Sequence, residues 1–193
     1  MSELFIELFS EEMPPNLQIN ARRQLEKLLN QNLSSLNLKY KNLSIYSTPT
    51  RLVALVSSLP NKIKIPTIEA KGPKEGVTDD VVENFAKSKK VNIDNLYKKK
   101  LEKGIFYFAK IKGREINTGD ELARCIPKFL NEISWKKSMK WSNHELNWGR
   151  PLRSILAIFD KKPLKFNFAH LKTVNFTLIE EHGEIKQKII KEF

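Results

Sequence analysis

Cysteine is nearly absent from this 193-residue chain: Cys125 stands alone, which excludes an internal disulfide framework, and no pair of Cys or His at ligand spacing points to structural zinc. Glycine is scarce as well. The seven glycines contain neither a GxxxxGK(S/T) nor a GxGxxG arrangement, so nothing supports ATP binding by a glycine-rich loop. His144, His170 and His182 occur singly and read as surface or satisfied structural residues, so no Ser–His pair for acyl transfer can be assembled. No uncharged run approaches the ~18 to 20 apolar residues of a membrane span. The apolar stretch Leu4 to Phe9 has no basic region before it and Glu11-Glu12 straight after it, which is wrong for a signal peptide. These absences imply a cytoplasmic chain that engages no membrane, and they leave no catalytic, cofactor-binding or metal-ligating residue to nominate. Cys125, among aliphatic neighbours, reads as a small buried hydrophobe.

Positive charge is abundant. Thirty-four Lys and Arg face twenty-two Asp and Glu, a net of +12, which favours polyanionic partners at long range. Between Ala86 and Trp141 the excess is +9, with fifteen basic residues against six acidic ones. All three tryptophans fall in the segment from Ser134 to Arg153, interleaved with Lys136, Lys137, Lys140, Arg150 and Arg153. Cations among flat rings match the phosphates and exposed base faces of RNA. The same residues also suit a protein interface, where Trp and Arg anchor contacts. Arg51, beside the proline turn Thr48-Pro49-Thr50, is held where it can reach a phosphate or a partner carboxylate.

Periodicity predicts an α+β fold with mixed or antiparallel sheets and packed helices. Residues 3–9 read as a strand, and Pro14-Pro15 opens a helix whose apolar face is Leu17, Ala21, Leu25, Leu28, Leu29 and Leu36. Strands over Leu43 to Thr48 and Leu52 to Leu59 complete a β-α-β-β unit over residues 1–60. The Lys- and Pro-rich residues 61–75 read as a crossing loop. Residues 76–171 form a basic α+β region carrying the Trp/Arg segment. Within it a helix capped at Thr78 precedes a hairpin of Leu96 to Leu101 with Ile105 to Ile111. A second helix begins at Thr118, to be kinked or shortened by Pro127. Ser154 to Phe159 is a buried strand, and Leu164 to Phe168 a returning one. Residues 172–193 form a divergent or truncated tail, with a strand over Val174 to Ile179 and a helix over Glu184 to Phe193. The tail stops in mid-pattern, as a fragment would.

Taken in order, several pieces resemble the N-terminal region of the β subunit of the bacterial tetrameric glycyl-tRNA synthetase. They are Glu7-Leu8-Phe9-Ser10-Glu11-Glu12-Met13-Pro14-Pro15, Thr48-Pro49-Thr50-Arg51-Leu52-Val53-Ala54-Leu55, Lys71-Gly72-Pro73, Asn84-Phe85-Ala86, Lys103-Gly104, Ile133 to Trp141, and Arg150-Pro151 leading into Ile155-Leu156-Ala157. The resemblance runs from the start of the chain to about Phe168. The family usually carries two arginines where Thr50-Arg51 stands, and the text after Leu171 departs from its pattern.

The resemblance implies a part in the ATP-dependent glycylation of tRNA(Gly) by an α2β2 hetero-tetramer. The catalytic α subunit would bind ATP, with Mg, and glycine, and the β subunit would recognise tRNA and complete the assembly. On that reading this chain carries no cofactor and no catalytic residue. Lys136, Lys140, Arg150 and Arg153 are candidate phosphate contacts, Trp141 a stacking platform, and Arg51 a contact to RNA or to the α subunit. The alternative is a non-catalytic scaffold whose tryptophans bury against a protein partner and which does not itself touch RNA.

Overall fold

The computed structural model describes residues 2–140, 142–181 and 184–190; Trp141 and His182 lie outside the described residues. Two compact units emerge, one formed by Met1–Ile63 with Asn117–Phe193 and the other by Lys64–Ile116. The +9 run of the sequence is therefore shared between them. Residues 87–114 fall in the second unit and residues 124–140 in the first.

The chain opens as expected with β1 (Ser2–Ser10), α1 (Pro15–Ser35), β2 (Asn42–Thr48) and β3 (Arg51–Leu59). Proline stands in the first turn of α1, where its missing N–H costs nothing and its fixed φ suits the helix. Ala21, Leu25, Leu28, Leu29 and Leu33 are buried. Leu36, expected on that face, is instead the C-cap residue, and Leu33, one turn after Leu29, takes the core position.

Residues 61–75, expected as a loop, carry β4 (Lys62–Ile65) and β5 (Ile68–Lys74). Lysine and proline in this stretch serve as edge-strand residues, which are kept from pairing further by charge and by missing donors. Next come α2 (Asp79–Lys89), a single 3-10 turn at Ile93–Asn95, β6 (Leu96–Leu101) and β7 (Gly104–Ile111). β8 (Arg114–Asn117) pairs with β4, so the chain leaves the first unit and returns to it along neighbouring strands. In the second unit β7 is the central strand of an antiparallel sheet ordered β5-β7-β6.

α3 (Thr118–Asn131) follows, capped by the Asn117 side chain, which accepts from the Asp120 N–H at 3.2 Å. Pro127 does not end it. The seven residues Thr118, Gly119, Leu122, Cys125, Ile126, Phe129 and Leu130 that it buries hold the helix against the sheet despite the lost hydrogen bond. Beyond it lie β9 (Met139–Lys140), β10 (Asn147–Trp148), β11 (Leu152–Phe159), β12 (Lys162–Pro163), β13 (Asn167–Phe168), β14 (Leu171–Val174), β15 (Phe176–Glu181) and β16 (Glu184–Ile189). Of the returning strand expected over Leu164 to Phe168 only β13 is extended pairing, while β12 falls at Lys162–Pro163, in front of it. The helix expected at the tail is also corrected: β16 pairs residue by residue with β15, and cross-strand pairing overrides a local preference that Glu, Lys and Gln give to helix.

The main sheet of the first unit runs β13-β14-β11-β1-β3-β2, with β12 beside β11. All pairs are antiparallel except β11 with β14. β1 is its centre. Its even residues Leu4, Ile6 and Leu8 are at most 1% exposed, on the face that α1 and α3 cover, together with their cross-strand partners Ile155, Ala157, Leu52 and Ala54. Its odd residues, among them Glu7, face the other side.

Cys125 is buried on α3, and burial pushes its thiol from the ordinary 9.0 up to about 11. At pH 8 the folded protein then holds roughly a hundredth of the thiolate that the unfolded chain does. Alkylation by iodoacetamide should be slower by about that factor, a ratio mass spectrometry reads with and without denaturant. Equal rates would show the side chain to be open.

Candidate nucleic-acid interface

The Trp/Arg segment closes one side of a groove of about 1100 Å³ whose other side is the first two turns of α1. From α1 come Asn16, Ile19, Asn20 and Arg23, spaced at helical intervals on the face that does not enter the core. From the segment come Lys136, Lys137, Ser138, Met139, Gly149 and Arg150. Among the described residues no Asp or Glu lines it. Four cations therefore share one concavity without a counter-charge among the described residues of its walls, which raises the local potential for an anion.

A side-chain amide fixes the two walls together. Gln24 on α1 donates its Nε2–H to the Ser134 carbonyl at 2.7 Å and accepts the Ser134 N–H at 2.8 Å. Beneath the segment, Trp135 and Trp148 pack with ring centroids 4.9 Å apart and planes tilted by 57°, and Trp148 meets Phe168 edge-on at 5.7 Å. β9 and β10 pair through Met139 with Trp148 and Lys140 with Asn147. Gly149 permits this closeness: a Cβ there would overlap Cε3 of Trp135 and lie 2.6 Å from its Cζ3. Two donors of the same cluster, the indole Nε1–H of Trp135 and the Nε–H of Arg150, are buried without an acceptor among the described residues. Buried donors left unpaired cost ~1–3 kcal/mol each, so each calls for a partner such as a water, an ion or a ligand.

A family model described as "Glycyl-tRNA synthetase beta subunit" matches residues 4–192. The chain belongs to that family. It is 32% identical over 194 residues to a glycine--tRNA ligase beta subunit of Rickettsia bellii, covering 100% of this chain and 29% of the relative. The corresponding protein of Rickettsia prowazekii is 33% identical over 177 residues, with 92% and 26% covered. That of Cereibacter sphaeroides is 36% identical over 160 residues, with 82% and 23% covered. The chain thus spans less than a third of the length of the relatives it matches.

In this glycyl-tRNA synthetase beta-subunit chain the residues nominated from sequence have separate surroundings. Lys136 and Arg150 line the groove. Lys140 is exposed on β9. Arg153 is half-exposed on β11, with its Nη1 3.8 Å from Glu11 Oε1. Trp141 lies outside the described residues. Arg51 faces inward on the sheet: its Nε is 3.4 Å from Glu7 Oε2, its guanidinium lies 4.8 Å from the Phe9 ring centroid, and it donates to the Leu178 carbonyl of β15. Glu7 also accepts from Thr177 Oγ1 at 2.6 Å.

Lys137, read within the Trp/Arg segment but not nominated as a contact, lines the groove, and so does Arg23, which sequence reasoning did not join to that segment. Arg23 stands on the face of α1 that stays out of the core, and only the fold brings that face to residues about 110 positions later. His144 and His170 stack face to face, 3.5 Å apart and 4° from parallel. Burial, and then the charge of His144, lowers the pKa of His170. Among the described residues no group of three or more His, Cys, Asp or Glu is placed to hold a metal ion, and no helix is long and apolar enough to cross a membrane.

Proposed function

We propose that this chain is the N-terminal region of a glycyl-tRNA synthetase beta subunit and that it serves glycylation of tRNA(Gly) by binding, with the bond-making chemistry, ATP and glycine on a partner α subunit. The observation that carries the binding role is the groove, lined among the described residues by four cations and no Asp or Glu, with the buried Nε–H of Arg150 unpaired in its wall. Phosphate oxygens meet both demands, since they are anionic and accept hydrogen bonds. Lys136, Lys137 and Arg23 line the groove as mobile charges, while Arg150, with its Nε buried, offers a fixed planar fork suited to one phosphate.

The scaffold reading relied on tryptophans as anchors for a protein partner. Trp148 is only 3% exposed and Trp135 packs on it, so two of the three are already engaged within the chain. This favours RNA over a Trp-anchored interface at the segment.

Filter binding of tRNA across a salt series tests the proposal. Binding should weaken as salt rises, and the variant carrying Lys136→Ala and Arg150→Ala should lose at least about tenfold in affinity, with the log–log salt slope shallower by about 2. Affinity and slope both unchanged in that variant would refute the groove as the contact. The loss of co-elution with the α subunit in the same variant, at undiminished tRNA affinity, would favour the scaffold.

A further inference from the structure

The second unit carries an open sheet face that the groove of the first does not explain. Strand register sorts its side chains. Ala70 and Leu96 both pair with Ala109 and share the face covered by α2, whose Phe85 touches Gly72. The opposite face presents Lys71 from β5, Tyr97 and Lys99 from β6, and Phe106 and Lys110 from β7, with Phe108 buried beneath them at 7% exposure. No helix of this unit covers it. Tyr97 and Phe108 are stacked with centroids 5.9 Å apart and planes 27° from parallel. Lys71 Nζ sits 3.9 Å from the Phe106 centroid and Lys99 Nζ 5.6 Å from that of Phe108. The one carboxylate on this face, Glu69, is already paired with Lys99 at 3.2 Å.

At the end of the sheet this face runs into a groove of about 860 Å³, to which Tyr97 and Lys110 also belong. Lys89 and Lys90 from the end of α2, together with Lys112 and Arg114, line it, and among the described residues no Asp or Glu does. Among the described residues none of these five cations makes an ion pair. Asn92 and Asn95 add exposed amides to the same wall.

We infer that this unit is a separate binding surface for a single-stranded RNA segment, which lays its phosphates along the Lys89–Lys90–Lys110–Lys112–Arg114 groove and stacks bases on the Phe106 and Tyr97 rings. Charge alone would accept any polyanion. The rings decide between them, because a base has a flat π-face to offer and an acidic peptide has none, while an A-form duplex hides its base faces inside the stack. The ammonium of Lys71 marks where a base would lie; displaced from the ring, it stays on the open face beside the incoming phosphates. This inference rests on the chain's being an RNA binder but uses none of the residues of the first groove.

The test uses the whole 193-residue chain and a fluorescent 12-nucleotide uridine-rich RNA containing 5-bromouridine. Anisotropy should show it bound at least about fivefold more tightly than a 12-base-pair duplex RNA. Photo-crosslinks should map to peptides within residues 97–114. The variant carrying Lys110→Ala, Lys112→Ala and Arg114→Ala should lose at least about tenfold in affinity, and Phe106→Leu, which keeps an apolar side chain, about threefold with an unchanged circular dichroism spectrum. The Lys136→Ala/Arg150→Ala variant should retain the crosslinks, which separates failure of the first groove from failure of this surface. Equal or tighter binding of the duplex, crosslinks only outside 97–114, or displacement by poly-aspartate as effectively as by unlabelled RNA would overturn it.

Discussion

Trp148→Ala is expected to destabilise the first unit by about 4 kcal/mol, the usual cost of emptying a large aromatic site. Trp148 is 3% exposed and touches both Trp135 and Phe168, so its removal leaves a cavity that neither neighbour can fill without abandoning its own contacts. For a chain of this size the midpoint of thermal unfolding should fall by roughly 8–16 °C. Because Trp135 and Gly149 form the floor on which the groove segment rests, tRNA affinity should fall as well, even at temperatures where the variant is folded. Thermal circular dichroism and filter binding check the two parts. A loss of less than about 1 kcal/mol would mean that the indole cluster is dispensable, and with it the rigidity assigned to the groove.

Arg51→Ala is expected to cost about 3 kcal/mol through a different route. Glu7 lies on the central strand with a side chain 9% exposed, and Arg51, itself 24% exposed, is its cationic partner. Truncating the arginine leaves a nearly buried carboxylate with Thr177 as its remaining partner and frees the Leu178 carbonyl of β15. Glu7→Gln in the same background should recover part of the loss, since a neutral amide needs no counter-charge. A roughly 6–12 °C drop in the unfolding midpoint, partly rescued by the second substitution, would identify Arg51 as a residue that, beside Thr177, ties β15 to the sheet. Unchanged stability with weakened tRNA binding would instead return it to the role of an RNA contact.

Arg51 shows where sequence reasoning reaches its limit. An arginine after a proline turn is compatible with a solvent-facing contact and with an inward ion pair, and only the register Phe9↔Arg51 and Glu7↔Val53 reveals that it shares a face with Glu7. The β-α-β-β opening was legible because α1 and β1 to β3 satisfy their own periodicity: Ala21, Leu25 and Leu29 recur at helical spacing, and Leu52, Ala54 and Val56 alternate. The tail was not. In Glu184–Ile189 the charged and apolar residues fit a helix as readily as a strand, and pairing with β15 decided the matter. The division of the chain was hidden for a related reason, since residues 117–193 rejoin 1–63 around an inserted unit, and no composition shift marks a return. Of the groove, the segment carrying Lys136 and Arg150 could be read from composition, whereas the contribution of Arg23 depended on which turn of α1 meets it.

The position of β1 has a consequence for synthesis. One flank finds its partner early, in the hairpin of β2 and β3, but the other waits for β11, where Leu4 aligns with Phe159. At ribosomal speeds those ~150 intervening residues take roughly 8–30 s to appear. Throughout that interval a nascent hydrophobic strand has half of its backbone donors and acceptors unclaimed, which makes the emerging chain a natural client for chaperones at the exit tunnel.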